Sequence, residues 1–197
     1  MAKPVRYFFA LVPGESGIHF LRERIDLFRG RGWEKFGHFV HLADLHLTLR
    51  FLGEISEETS IALQAGATEI ARRTAPFSYG MGPCHLFPRV SRARVIAARV
   101  DPGEILPKLV RNLEELCVRN GLPGEDRIFR PHLTLARLRN QMKRPNLPSR
   151  AGETIQRATH FRLLRTNLGS GPEDYEEVAR FPFEGGTRAE EANSLEP

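Results

Sequence analysis

The chain has 197 residues, 29 Lys+Arg against 24 Asp+Glu, a formal net charge of +5, and is 41% hydrophobic and 27% charged. That composition excludes disordered, collagen-like and coiled-coil chains, and no apolar run nears the ~20 residues needed to span a bilayer. The two cysteines, Cys84 and Cys117, form neither a disulfide framework nor a metal-ligand pattern, so one domain folding without staples in a reducing, cytoplasmic setting is expected. In chain order, Val5–Val12 has strand composition and stops at Pro13-Gly14, too short and aromatic for a signal peptide. Ser16 to Phe28 predicts a helix, with Ile18, Leu21, Ile25 and Phe28 on one face. Gly30 to Phe39 is a Gly-rich loop, Leu45–Leu52 a strand, and Ser56 the N-cap of a helix that runs to about Thr74.

Phe77–Met81 and Arg94–Val100 predict short strands. Glu104–Arg119 predicts a third helix, with Leu109, Leu113, Leu116 and Cys117 on one side and Asn120-Gly121 as its stop. Pro131–Leu138 is a strand, Asn140–Gly152 a basic Pro-containing loop, and Thr159–Leu168 with Asp174–Phe183 a closing pair of strands. The order predicts an α+β fold, with helices packed on antiparallel or mixed sheets. Residues 1–185 make one unit and 186–197 a tail without periodicity.

The charge is uneven. Residues 173–197 hold eight acids and two bases, whereas 127–150 holds seven bases and no acid. A second basic group is Arg89, Arg92, Arg94 and Arg99. Such clusters suit phosphate backbones, because each contact releases counterions.

His46-Leu47-Thr48-Leu49 recurs as His132-Leu133-Thr134-Leu135, each copy within a predicted strand. Strand alternation puts Leu45, Leu47, Leu49 and Phe51 on one face and His46, Thr48 and Arg50 on the other. In the second copy Leu133 and Leu135 face the core, opposite Arg130, His132 and Thr134. Each strand thus presents an imidazole and a hydroxyl about 7 Å apart. Side by side, the strands would bring two imidazoles and two hydroxyls to one groove. Such a set suits metal-free phosphoryl chemistry. One neutral imidazole takes a proton from the attacking oxygen, and the other, as imidazolium, gives one to the leaving oxygen. The threonines hold the non-bridging phosphate oxygens. Spacing alone does not say which histidine is donor and which acceptor.

Other candidates are weaker. Arg130 shares a face with His132 and Thr134 and is assigned a phosphate contact, while Arg50 sits likewise beside His46 but farther along its strand. Phe9, Phe129 and Trp33 could stack a base, although core suits Phe9 and plain loop suits Trp33. His38, His41 and His46 lack the Cys or carboxylate partner of a zinc site. Arg29-Gly30-Arg31-Gly32-Trp33 is no phosphate-binding P-loop, and Cys84 beside His85 is read as a structural thiol. No metal or cofactor is called for.

At these residues the chain resembles the two-histidine phosphoesterase superfamily, and more narrowly the RNA 2′,3′-cyclic phosphodiesterases, also called 2′-5′ RNA ligases. Arg6-Tyr7-Phe8-Phe9-Ala10-Leu11 resembles the family's opening strand. Asp44 through Glu54 and Phe129 through Arg137 resemble its two motifs, and Leu163 through Tyr175, with Gly171, its closing hairpin. The resemblance implies a bilobed fold with pseudo-twofold symmetry and a groove between the lobes. It implies hydrolysis of an RNA 2′,3′-cyclic phosphate to a 2′-phosphate, His46 donating the proton, His132 accepting it, and Thr48 and Thr134 binding phosphate. The expected partners are RNA termini or cyclic nucleotides, with no membrane, and the chain is expected to be a monomer. Thr166 stands where the family often has serine, which touches a minor substrate contact. The alternatives are ligation or cleavage of 2′-5′ linkages with the same groups, and an RNA-binding module without catalysis, which would not require both His-x-Thr copies.

Overall fold

The computed structural model describes residues 5–90, 93–139, 146–148, 150–166 and 174–185. Expectations that fall on Arg92, Lys143, Arg144, Gly171 and 186–197 lie outside these residues. In chain order the elements are β1 (Tyr7–Leu11), α1 (Glu15–Gly30), a 3-10 turn (Trp33–Phe36), β2 (Gly37–Phe39), a second 3-10 turn (Leu42–Asp44), β3 (Leu47–Gly53), α2 (Glu57–Arg72) and β4 (Phe77–Phe87). There follow β5 (Val95–Asp101), α3 (Ile105–Arg119), β6 (His132–Leu138), β7 (Thr154–Ala158), β8 (His160–Thr166) and β9 (Tyr175–Pro182).

The strands form one sheet, ordered β7-β4-β5-β6-β3-β1-β8-β9, with β2 paired to β6 outside that path. Every strand pairing described is antiparallel. The order reads as two halves about the β6–β3 seam. β1–α1–β3 and β5–α3–β6 are matching strand–helix–strand units, each ending in a His-x-Thr strand. The seam is pinned where Leu47 faces Leu133. Both leucines are at most 1% exposed, and burying each contributes about 1.5–3 kcal/mol.

The helices cover one face of the sheet. Leu21 and Ile25 of α1, Leu63 and Ala67 of α2, and Leu109 and Leu113 of α3 join Phe9, Leu47, Leu133 and Phe161 in one buried cluster. Ser56 caps α2 as its sequence predicts, its Oγ accepting the Thr59 N–H at 3.1 Å. A Cβ on Gly66 would lie 2.2 Å from Leu116 Cδ1, so this glycine sets how closely α2 and α3 pack.

Three local expectations change. The Gly30–Phe39 loop contains ordered structure: Trp33 is 2% exposed and packs with Phe28 and Phe36 beneath Ile96 and Ala136. β4 is longer than predicted, because its Gly- and Pro-containing stretch continues through a register shift between Met81 and Cys84. β7, with no strong alternation of its own, forms by pairing with β4.

Candidate active site

The Leu47–Leu133 pair decides the arrangement. In an antiparallel pair, one step in each direction sets His46 across from Thr134 and Thr48 across from His132. The two repeats therefore meet as a pseudo-twofold set on the sheet face away from the helices. All four side chains are half-buried. The charges of His46 and His132 are close enough to act on each other.

The two imidazoles are held alike. His46 Nδ1 lies 2.7 Å from the Asp44 carbonyl, and His132 Nδ1 lies 2.7 Å from the Arg130 carbonyl. A carbonyl can only accept, so each Nδ1 carries a proton. In the neutral ring each Nε2 is then the free base, and in the imidazolium each Nε2 carries the transferable proton.

Their surroundings differ. His46 sits between Phe8, at 4.8 Å, and Tyr175, edge-on at 5.2 Å. Burial, reinforced by the charges of Arg137 and His132 and opposed by the Asp44 carbonyl, pulls His46 down to about 4. His132 instead stacks on Phe87 with ring centres 4.0 Å apart.

Simple alternation fails just beyond each threonine. Against β1, Ala10 faces Thr48 but Phe9 faces Arg50, so β3 carries an extra residue. That bulge sends Arg50 to the helix side, where it pairs with Glu114 of α3 and donates to the Pro123 carbonyl at 2.6 Å. Phe51 moves the other way and stacks on Phe8. The expectation that Arg50 shares a face with His46, and Phe51 with the core leucines, is therefore corrected. The second motif repeats the device: Ala97 faces Thr134 but Ile96 faces Ala136. Ala136 packs inward with Trp33, and Arg137 emerges to donate to Tyr175 Oη at 3.0 Å. Gly37 lets β2 lie against this strand, since a Cβ there would meet the Arg137 carbonyl oxygen at 2.2 Å.

Arg130 reaches His132 through its backbone, while its side chain is exposed in front of β6. Phe9 is fully buried and Trp33 nearly so, which removes both as base-stacking platforms. Phe129 is partly buried against the main core. Thr166 accepts the Arg6 N–H at 3.0 Å. His38 lies 3.1 Å from Arg139, and His41 Nδ1 accepts from the Ala43 N–H. Burial raises the Cys84 thiol to about 11, which disfavours the thiolate a nucleophile needs.

A family model described as the 2′-5′ RNA ligase superfamily matches residues 21–165, a span containing both His-x-Thr strands. The chain belongs to the 2′-5′ RNA ligase superfamily. Among curated members, proteins named RNA 2′,3′-cyclic phosphodiesterase are 30% identical in Bacillus subtilis, over 74% of this chain and 80% of that one, and 30% in Escherichia coli, over 92% and 98%. A crystal structure from Thermus thermophilus superposes with a TM-score of 0.79 at 28% identity. That of Escherichia coli LigT complexed with 3′-AMP superposes at 0.72 and 27%. Each match covers 92% of this chain and 99% of the other. The α+β fold expected from the sequence is thus the LigT-like one, built here on a single antiparallel sheet. Among the site residues of this superfamily member, Tyr175 and Arg137 were legible only as part of the closing hairpin and of a basic run. Asp44, Phe8 and Phe87 carried no individual signal, because no two-residue period passes through a bulge or across strands.

Proposed function

We propose that the chain hydrolyses RNA 2′,3′-cyclic phosphate termini to 2′-phosphomonoesters by metal-independent acid–base catalysis. The observation that carries this reading is the matched pair of Nδ1–H bonds to the Asp44 and Arg130 carbonyls, which leaves two Nε2 atoms for one groove. His132 Nε2 takes a proton from water as its oxygen attacks phosphorus. His46 Nε2–H gives its proton to the 3′-oxygen as the P–O3′ bond breaks. The products are a 2′-phosphate and a 3′-hydroxyl, and each positioned acid or base contributes about 10²–10⁴ in rate. Thr48 and Thr134 donate hydroxyl hydrogen bonds to the non-bridging oxygens, where charge grows.

The donor role asks something of His46, which burial holds largely neutral at physiological pH. A phosphate anion in the groove supplies the opposite charge that favours the imidazolium. Binding and donor activation are then one event.

RNA enters over the basic arm before and along β6, where Arg127, Arg130, Arg137 and Arg139 are exposed. Arg130 contacts phosphate there. No helix among the described residues is long and apolar enough to cross a membrane. Residues 1–185 act as one bilobed unit, a monomer in the cytoplasm. With a 5′-hydroxyl in place of water as the nucleophile, the same groups would join it to the 2′,3′-cyclic end as a 2′-5′ linkage, and run in reverse they would cleave that linkage.

The test is an oligoribonucleotide ending in a 2′,3′-cyclic phosphate, incubated with chelator and followed by product identification. A 2′-phosphate is expected. No turnover would sink the assignment, loss with chelator would sink the metal-free chemistry, and a 3′-phosphate would reverse the leaving group.

A further inference from the structure

The two motifs differ most at the residue whose carbonyl orients each imidazole. In the second motif that residue is Arg130, with its side chain in solvent. In the first it is Asp44, which is 4% exposed and turned inward. The Asp44 carboxylate accepts the backbone N–H groups of Asp174, at 3.0 Å, and Tyr175, at 3.3 Å. It forms no ion pair among the described residues, and the charged groups acting on it are Asp174 and His41. A carboxylate buried this far, with backbone N–H groups rather than a cation as its partners among the described residues, is costly for a fold to keep unless its geometry is used.

The geometry at this end is a closed chain of contacts. Asp44 fixes the start of β9. Tyr175, the first residue of β9, sets its ring against both Phe8 (4.9 Å) and His46 (5.2 Å). Its hydroxyl accepts from Arg137 of the second motif. One residue thus holds His46 twice, by its carbonyl directly and by its carboxylate through Tyr175.

We propose that Asp44 is a positioning residue for His46, acting through Tyr175: by anchoring the Asp174 and Tyr175 backbone it closes an aromatic wall around one imidazole of an otherwise pseudo-symmetric pair. The wall makes His46 distinct from His132. Without it, Tyr175 leaves His46, and water reaches the ring.

This rests on the acid–base reading of His46, so the experiment has two independent readouts. The first is the NMR titration of the His46 imidazole, whose charged neighbours are Arg137 and His132. The second is kcat and KM on the cyclic-phosphate oligonucleotide. In Asp44→Ala, His46 is expected to titrate about one pH unit or more higher, as its desolvation is relieved. The expected fall in kcat is about 10-fold or more, with KM changed less than about 3-fold, as for a misplaced catalytic group. Asp44→Asn keeps an acceptor oxygen and should restore most of both. Tyr175→Leu leaves the Asp44 bonds to the backbone but removes the ring. It should give the same upward His46 shift, and it decides the matter if Asp44→Ala does not fold. An unshifted His46 in Asp44→Ala or Tyr175→Leu overturns the proposal, as does an Asp44→Asn enzyme as impaired as Asp44→Ala. If the wild type fails to turn over the oligonucleotide, the substrate assignment falls, and the His46 titration still decides the role of Asp44.

Discussion

His46 and His132 flank the Leu47–Leu133 pair, donate through Nδ1 to the carbonyl two residues back, and sit across from each other's threonine. There the likeness of the two halves stops. The His46 half is closed by Phe8, Tyr175 and a buried Asp44. The His132 half has one stacked ring, Phe87, and an exposed Arg130. The bulge after each threonine brings out an aromatic, Phe51, in one half and a cation, Arg137, in the other. A duplicated strand thus supplies two equivalently held imidazoles, and the residues around the duplication give them different surroundings. In the proposed reaction the donor starts protonated and the acceptor neutral, so a bound phosphate has to offset the burial that keeps His46 neutral.

The largest effect should come from removing either imidazole. His46→Ala and His132→Ala are each expected to lose at least about 10² in kcat. The double variant should lose far less than the product of the two, because the pair works as a unit. A single variant with near-normal kcat would remove its half from the chemistry. Next is the buried link behind the first motif. Arg50 is 9% exposed and its partner Glu114 is 27% exposed. Glu114 also accepts the Glu125 N–H at 2.8 Å in the segment leading to the second motif. Glu114→Ala should lower stability by about 1–3 kcal/mol, since it removes the charged partner of a buried guanidinium that keeps the Phe51 and Pro123 carbonyls. An unchanged urea midpoint would show that this pair does not join the two motifs. Thr48→Val and Thr134→Val should each lose about 10-fold in kcat/KM, for one hydrogen bond to a charged oxygen. Equal losses would mean that the phosphate lies on the pseudo-axis, and unequal losses would show toward which half it leans.

The sequence showed the symmetric part of this site and hid the asymmetric part. His46, Thr48, His132 and Thr134 were legible because a repeated His-x-Thr places its polar groups on one face wherever a strand is regular. Three helices were legible from their apolar period, with α2 marked by its Ser56 cap and α3 stopped at Asn120-Gly121. Arg50 was misplaced because a bulge is set by the partner strand β1, which no period within β3 reports. Arg137 was hidden by the same device on β6. Asp44 was legible only as the opening residue of the first motif, and its contacts were not, since its partners lie far away in sequence at Asp174 and Tyr175. Trp33 looked like loop because its neighbours are glycines, yet Phe28 and Phe36 bury it.

The effect confined to a single half, and absent at neutral pH, concerns protons in the resting enzyme. His46 is lowered from 6.5 to about 4 by burial first, and by Arg137 and His132 next. A depressed value means that the folded chain binds this proton less readily than the unfolded chain. Its contribution to stability is complete above about 6.5 and is lost as pH falls toward about 4. The wild type should therefore lose stability across that window, and His46→Gln, which cannot titrate, should lose less of it. His85 and His160, also lowered by burial, act in the same direction in both proteins, so the difference between the two urea-midpoint curves isolates His46. Arg137→Gln should narrow the same difference, because taking away the nearby cation lets His46 rise. Superimposable curves for wild type and His46→Gln would mean that the aromatic wall does not dry this imidazole, and the contrast between the halves would then rest on charge alone.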